Sequence, residues 1–321
     1  MTSKTTFLIC SLLLSATANA SELNPPSDYR DINAIAWMHG AKSCKEDQNP
    51  AIQVVQAAGS SYILRQNKCV TYEAPFIYVL FGQNTALVVD TGANELASES
   101  PIFDTVKSLY EKQKSTESPN LEKILVVHSH SHSDHTKGDS QFDGYDYIEV
   151  VGTNSRSLEQ QLGLLDWPKL NSSIDLGGRI ITIIPTPGHQ EQSISIYDDQ
   201  TQWLLTGDSL YPGVIRVKNW DDYRNSISRL SEFSKHNPVS YILGAHIEMN
   251  RVTKKPYKIG ETYQPDEHPL SLPVSDLEGL NEKLKLNAKS KKLRSGSLVI
   301  SPLSRFEKLI IKAVTLSRKS D

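Results

Sequence analysis

Four of the nine histidines of this 321-residue chain fall within eight consecutive positions, residues 128–135. The segment carries five side chains able to bind a metal: His128, His130, His132, Asp134 and His135. It follows an apolar run at residues 124–127, which predicts a buried strand. Alternate side chains at a strand end lie on one side, so His130 and His132 can bind one cation. The next two ligands in the segment can face a second cation. A histidine-rich solvated loop with incidental affinity for metals is the alternative interpretation of this segment taken alone.

Three later segments each place another possible ligand directly after a predicted strand. They are Thr186-Pro187-Gly188-His189, Leu205-Thr206-Gly207-Asp208 and Tyr241-Ile242-Leu243-Gly244-Ala245-His246. Asp90 also ends a predicted strand. A surface histidine or a capping aspartate is the ordinary explanation of each residue alone, but their joint occurrence predicts a site assembled at one edge of a sheet scaffold. Imidazole and carboxylate ligands without thiolate suit Zn²⁺ and also tolerate Fe or Mn.

The order of these residues resembles that of the metallo-β-lactamase superfamily of dinuclear metal hydrolases. The resemblance covers roughly residues 52–249. It rests on five motifs in order: Asp90, His130-x-His132-x-Asp134-His135, His189, Asp208 and His246. It implies an α+β fold, a four-layer αβ/βα sandwich with the metal site at one edge of the two packed sheets.

The resemblance also implies a ligand set for two Zn²⁺ ions per chain, with Fe or Mn possible. The first metal would be bound by His130, His132 and His189, the second by Asp134, His135 and His246, and both by a bridging Asp208. Asp134 is expected to be catalytic, because it can both ligate the metal and orient a hydroxide. Asp90 is expected to hold a ligand imidazole in its correct tautomer.

The activity implied is hydrolysis of a small molecule. Two neighbouring cations lower the pKa of bound water to near neutrality and polarise a carbonyl group. The expected enzyme is therefore an exported metal-dependent hydrolase, which cleaves an ester, thioester, lactone or amide bond by attack of a metal-bridging hydroxide.

Three alternatives stay open. The first is a metallo-β-lactamase acting on β-lactam antibiotics, although true metallo-β-lactamases usually lack a bridging carboxylate at the position of Asp208. The second is a di-iron redox protein of the same fold, although no flavin-binding motif is visible after the resembling region. The third is a metal-binding protein without catalysis. In addition, Lys137 follows the long motif where many members have small residues, and its charge could affect substrate choice.

Residues 1–20 are typical of a secretory signal peptide. Lys4 precedes a short apolar stretch at residues 7–14, and Ala18-Asn19-Ala20 has the small-x-small form of a cleavage site. We therefore expect cleavage after Ala20 and a periplasmic or secreted protein. The rest of the chain is predicted to form a hydrolase domain at residues 21–250 and a C-terminal extension at residues 251–321 that packs on it.

Two cysteines, Cys44 and Cys69, follow the predicted cleavage site. A small even number of cysteines in an oxidising compartment predicts one structural disulfide. Two unpaired buried thiols are the alternative. Neither cysteine lies within a metal-binding motif.

The bulk composition excludes some other classes. A net charge of −3 argues against a general nucleic-acid binder, which needs a basic surface. No apolar run reaches the roughly eighteen residues of a membrane span, so we expect no stable membrane anchoring. Many short strand-like runs alternate with five predicted helices, at residues 101–113, 155–164, 221–236, 276–291 and 304–314.

Overall fold

The computed structural model describes residues 29–304 and Glu307. The predicted signal peptide at residues 1–20 and nearly all of the predicted last helix at residues 304–314 lie outside the described residues. Within the described part of the chain, no helix combines the length and apolarity that a membrane span requires.

Fifteen strands and five α-helices make up the regular structure of the described chain. The strands are β1 (Ile52–Ala58), β2 (Ser61–Gln66), β3 (Phe76–Phe81), β4 (Thr85–Val89), β5 (Lys123–Val127), β6 (Ile148–Val150), β7 (Ser172–Asp175), β8 (Ile180–Pro185), β9 (Ile194–Asp198), β10 (Trp203–Gly207), β11 (Val214–Val217), β12 (Tyr241–Gly244), β13 (Ser271–Leu272), β14 (Leu293–Ser295) and β15 (Leu298–Pro302). The helices are α1 (Ile102–Thr116), α2 (Ser133–Thr136), α3 (Ser155–Leu162), α4 (Trp220–His236) and α5 (Val274–Lys285).

The strands form two six-stranded mixed sheets and one small sheet. The first sheet has the order β1-β2-β3-β4-β5-β6, and the second has the order β13-β12-β10-β9-β8-β7. In the first sheet, β4 and β5 are parallel neighbours, and in the second sheet β10 and β12 are parallel neighbours. Because the carboxyl ends of parallel neighbours lie at the same edge, each sheet brings two chain segments together at one edge. The small sheet has the order β11-β15-β14.

The two large sheets pack face to face with helices on their outer faces. Along β4, Leu87 and Val89 belong to the apolar cluster between the sheets, whereas Ala86 and Val88 belong to the cluster that α1 covers. This alternation is the period of two expected of a strand buried on both faces. On the other side, α4 and α5 cover the outer face of the second sheet with an apolar cluster of their own. The result is the α+β four-layer sandwich that the resemblance implies.

The segment after residue 250 packs on the rest of the chain at three places. Strand β13 pairs with β12 at the edge of the second sheet, and β15 pairs in parallel with β11. Helix α5 packs beside α4 over a shared apolar cluster. Since β13 completes a sheet begun before residue 250, the two parts of the chain share one core.

Two sequence expectations differ from the observed elements. The helix predicted at residues 276–291 is Val274–Lys285, because Leu284 is its last buried apolar residue and the following run is polar and exposed. The Asn287 amide donates to the carbonyl of Lys283 and closes this helix end. The strands β7, β11, β13 and β14 were not predicted, because each has two to four residues and is stabilised by a partner strand rather than by its own pattern.

Candidate metal centre

The end of β4 fixes the start of the histidine-rich segment. Asp90 follows β4 with a positive φ of 70°, a conformation that aspartate tolerates better than most side chains. Its Oδ1 accepts a hydrogen bond from the Ser129 backbone N–H at 2.7 Å, and its Oδ2 accepts one from the Ser129 hydroxyl at 2.9 Å. Asp90 therefore holds the loop that follows β5, where the first ligands lie.

Three imidazoles form the first ligand group: His130, His132 and His189. Nδ1 of His132 lies 3.0 Å from Nε2 of His130 and 3.0 Å from Nε2 of His189. The other ring nitrogens are held outside the group. Nδ1 of His189 donates to the Arg216 carbonyl at 2.7 Å, and Nδ1 of His130 lies 3.1 Å from the Ser129 hydroxyl. These bonds fix the tautomers in which Nε2 of both rings carries a free lone pair.

Two imidazoles and two carboxylates form the second group: Asp134, His135, Asp208 and His246. Nδ1 of His135 lies 2.8 Å from Asp90 Oδ2, and Nδ1 of His246 donates to the Glu73 carbonyl at 3.1 Å. Nε2 of each ring is therefore turned toward the group, where both lie 3.2 Å from Asp134 Oδ2.

Asp208 lies between the two groups, and its two oxygens face different ones. Oδ1 lies 3.3 Å from Nε2 of His246 and 3.6 Å from Nε2 of His135. Oδ2 lies 3.5 Å from Nε2 of His189 and 3.9 Å from Nε2 of His130. A carboxylate in this position can contact two cations at once.

A glycine lets the second sheet deliver Asp208 to this place. Gly207 has a φ of +50°, and a Cβ at this residue would lie 2.5 Å from the Cβ of Ser129. Any larger residue would therefore push the end of β10 away from the loop after β5. The two ligand groups meet because this contact is made by a backbone without a side chain.

The residues fit a pair of metal ions on two grounds. The imidazole and carboxylate donors of each group lie within 4.8 Å of one another. In addition, His135 Nε2 and Asp208 Oδ1 are buried without a hydrogen-bond partner among the described residues. Such atoms destabilise a folded protein unless something satisfies them, and a cation would satisfy both.

Burial and neighbouring charges set the protonation of the ligands. Burial lowers the pKa of His130 and of His189, which keeps both imidazoles neutral and able to bind a metal. Burial alone would raise the pKa of Asp134 and of Asp208, but the adjacent imidazoles hold both well below the ordinary range. Burial opposes protonation of His246 too, yet Asp208 and Asp134 raise its pKa to about 10. A cation bound here would displace that proton.

All seven predicted ligands come together, whereas the remaining histidines do not join them. Nδ1 of His128 donates to the His135 carbonyl at 3.1 Å, and its Nε2 lies 3.2 Å from Asp139 Oδ2, so this residue supports the ligand loop from behind. His236 lies in the last turn of α4, 3.0 Å from a Glu232 oxygen. Cys44 and Cys69 form a disulfide.

Sequence reasoning missed several residues that hold the ligands. Ser129 links His130 to Asp90, and its position between two histidines of a ligand motif is a signal that could have been followed. The Glu73 and Arg216 carbonyls orient His246 and His189. They act through the backbone, so their side chains carry no signal for this role.

A cleft of about 1060 Å³ opens over both ligand groups. Its lining includes ligands from both groups, together with the apolar side chains of Tyr72, Tyr211, Ile247 and Ile259. Small-molecule sites have this size and this combination of an apolar wall with a few polar groups.

Comparison with known proteins agrees with this geometry. The sequence profile of the metallo-beta-lactamase superfamily matches residues 70–246, more than half of the chain. The chain is 24% identical over 208 residues to the acyl-coenzyme A thioesterase MBLAC2 of Homo sapiens, covering 53% of this chain and 72% of that protein. It is 34% identical to the Gallus gallus protein of that name over 80 residues, covering 24% of this chain and 29% of that protein.

Among solved structures, a metallo-beta-lactamase from Pontibacter korlensis is similar at a TM-score of 0.45 and 14% identity, covering 74% of this chain and 100% of that one. A metallo-beta-lactamase from Hirschia baltica is similar at a TM-score of 0.44 and 18% identity, covering 61% and 91%. From the match of the superfamily profile and the assembled ligand groups, we conclude that the chain belongs to the metallo-β-lactamase superfamily and is a hydrolase.

Proposed function

We propose that this chain is an exported hydrolase that binds two metal ions, zinc before iron or manganese, and cleaves an acyl thioester or ester of a small molecule. The observation that carries the proposal is the position of Asp208, whose two oxygens face the two ligand groups. Imidazole and carboxylate ligands without thiolate are typical of hydrolytic zinc sites.

Thioesters are placed first among the substrates because the curated relatives bear the name acyl-coenzyme A thioesterase. The cleft over the ligands is large enough for an acyl group and part of its leaving group, and its wall is partly apolar. Both features support an acyl substrate.

When bound, such a metal pair lowers the pKa of a water molecule to near neutrality and polarises a carbonyl oxygen. The chain itself contributes a fixed carboxylate beside that chemistry. Asp134 Oδ2 faces Nε2 of His135 and of His246, and its other oxygen accepts no hydrogen bond from the described part of the chain. Because its pKa is held well below the ordinary range, Asp134 stays ionised and can accept a hydrogen bond from water and orient it.

Export is supported by two features. The sequence of residues 1–20 has the pattern of a cleaved signal peptide. The Cys44–Cys69 disulfide is of a kind that persists in oxidising compartments outside the cytosol.

The test is turnover by purified, zinc-loaded protein on a panel of acyl thioesters, acyl esters, lactones and β-lactams, with Asp208→Ala as the matched control. Thioester turnover that Asp208→Ala abolishes is the expected result. Preferential turnover of β-lactams would contradict the acyl assignment, and turnover equal in Asp208→Ala would place the reaction elsewhere. Amino-terminal sequencing of protein recovered from the periplasm or medium tests export, with Ser21 as the expected first residue.

A further inference from the structure

Lys68 is a buried lysine in the wall of the cleft. It lies in the loop between β2 and β3, and its side chain is 2% exposed. Its side chain nevertheless forms part of the cleft lining. A lysine is very seldom buried to this extent unless its charge is matched.

The match for this charge is incomplete. Nζ of Lys68 lies 3.4 Å from Glu267 Oε1 and 3.5 Å from the Tyr72 carbonyl, both long for a charged hydrogen bond. Glu267 is already bound by Arg65, whose two terminal nitrogens lie 2.7 Å from its two oxygens. One carboxylate therefore serves two buried cations, and the trio carries a net positive charge.

The remaining donors of Lys68 have no partner among the described residues. An ammonium group has three N–H donors, and the Tyr72 carbonyl accepts one of them. Burial lowers the pKa of Lys68 to about 8, so the group is still mainly charged at neutral pH. The nearby Glu248 has its own partners in the Val214 N–H and the Tyr211 hydroxyl.

The other cations near the cleft are less exposed to this imbalance. Arg216 lies 3.4 Å from Glu307, and Lys218 lies 3.1 Å from Glu191. Both are partly exposed and are paired one to one, so water and a single carboxylate neutralise each of them. Lys258 is exposed at the cleft mouth.

The backbone around Lys68 is held on both sides. Cys69 is bonded to Cys44, and the Asn67 side chain accepts from the Cys69 N–H at 2.8 Å while donating to Asp47 at 2.7 Å. Gly40 packs so closely that a Cβ there would lie 2.9 Å from the Lys68 Cβ. Lys68 is thus presented by a rigid support, as a binding group requires.

We propose that Lys68 binds a carboxylate of the substrate, so that the enzyme prefers acyl substrates carrying a second, free carboxylate. The inference rests on the proposed function, because it assigns the part of the substrate distant from the scissile bond. A carboxylate matches a single ammonium group, whereas phosphate sites generally combine several cations or backbone N–H groups.

The first experiment measures binding without turnover. Matched pairs of probes, succinate with butyrate, glutarate with valerate, and adipate with hexanoate, are titrated into zinc-loaded protein by calorimetry. Each pair shares one carboxylate that can reach the metals, so the ratio of the two affinities reports the second carboxylate. We expect at least one dicarboxylate to bind about 10–100-fold more tightly than its partner, the effect of one hydrogen bond to a charged group.

Variants then assign this preference. Lys68→Met, which keeps the length and apolar stem of the side chain, should reduce the ratio to near one, and Lys68→Arg should restore part of it. Lys218→Met removes the same charge from a paired lysine at the cleft and should leave the ratio within about 2-fold, as for a solvent-screened charge. A wild-type ratio near one for all three pairs, or a ratio unchanged in Lys68→Met, would overturn the proposal. Thermal melts establish that each variant is folded.

Turnover separates this proposal from the proposed function. The substrates are a succinyl thioester and its neutral methyl ester, both with the same thiol leaving group. We expect Lys68→Met to lower kcat/KM about 10–100-fold on the succinyl thioester and much less on the neutral one. Equal losses on both would show that Lys68 only supports the cleft wall. If the wild-type protein hydrolyses neither thioester, the proposed function fails, while the calorimetric ratios still decide the role of Lys68.

Discussion

His135 Nδ1 and Asp90 Oδ2 lie 2.8 Å apart, and the two side chains are 0% and 2% exposed. Because Asp90 also accepts two hydrogen bonds from Ser129, its position is fixed before any metal binds. The pair turns Nε2 of His135 toward Asp134 and Asp208. A buried carboxylate behind a ligand imidazole is how proteins commonly set the tautomer and basicity of that ligand.

We predict that Asp90→Asn weakens binding at the second metal group by about 10–100-fold, the usual effect of removing such a partner. Asparagine tolerates the positive φ, but an amide N–H₂ facing the Nδ1–H of His135 cannot accept its proton. Competition with a zinc chelator measures the affinity. The exposed Asp143→Asn is the control, and equal affinities in all three proteins would refute the role given to Asp90.

We predict two zinc ions per chain in reconstituted protein and one or fewer in Asp208→Ala. The reason is that Asp208 faces both ligand groups, so its loss removes a ligand from each and the charge that offsets two cations. Elemental analysis after gel filtration gives the count. A wild-type count that stays near one, or an unchanged count in the variant, would mean that Asp208 does not bridge.

Lys68 predicts an unusual dependence of stability on pH. Burial lowers its pKa to about 8 from 10.5, so between these values the unfolded chain binds a proton that the folded chain releases. Its contribution to the free energy of unfolding therefore rises with pH across that window. Below it, the buried charge costs about 3 kcal/mol at most.

Lys68→Met should accordingly be more stable than the wild type at pH 7, and the difference should shrink by pH 10. Urea unfolding of both proteins at the two pH values, with equal metal content, measures this. Lys218→Met serves as the exposed control. A variant less stable than wild type at pH 7 would show that the ion pair with Glu267 outweighs the burial of the charge.

The disulfide predicts sensitivity of stability to reductant. The bond joins residues separated by 25 positions, and closing a loop of that size stabilises by about 3 kcal/mol in the chain-entropy model. Urea unfolding with and without reductant should therefore differ by roughly that amount. The Cys44→Ser/Cys69→Ser double variant should match the reduced wild type and should not respond to reductant.

The parts of the site that the sequence predicts are those with local signals. Each ligand follows an apolar run that forms a buried strand, and strand ends at one sheet edge necessarily approach one another. That is why His189, Asp208 and His246 could be grouped with the histidine-rich segment, although they are distant from it in sequence. The outer helices were likewise visible from their periodic apolar residues.

The rest depends on contacts between distant segments, which carry no local signal. Arg65 and Glu267 are 202 positions apart, and neither lies in a recognisable motif. The shortest strands, such as β13, exist because a partner is present. The cleft wall is formed by loops, so the substrate preference could not be predicted before the structure placed Lys68 beside Glu267.

The most direct test of the account compares turnover and metal content in the same sample of Asp134→Asn. The amide oxygen can still ligate, but the amide cannot accept a proton, and loss of this assistance costs about 10²–10⁴-fold. His236→Ala, a change on the exposed end of α4, is the control and should retain full activity. We predict that zinc-loaded Asp134→Asn keeps most of its metal and loses most of its thioester turnover. Near-normal turnover in the metal-loaded variant would contradict the mechanism, and a large loss in His236→Ala would contradict the location of the site.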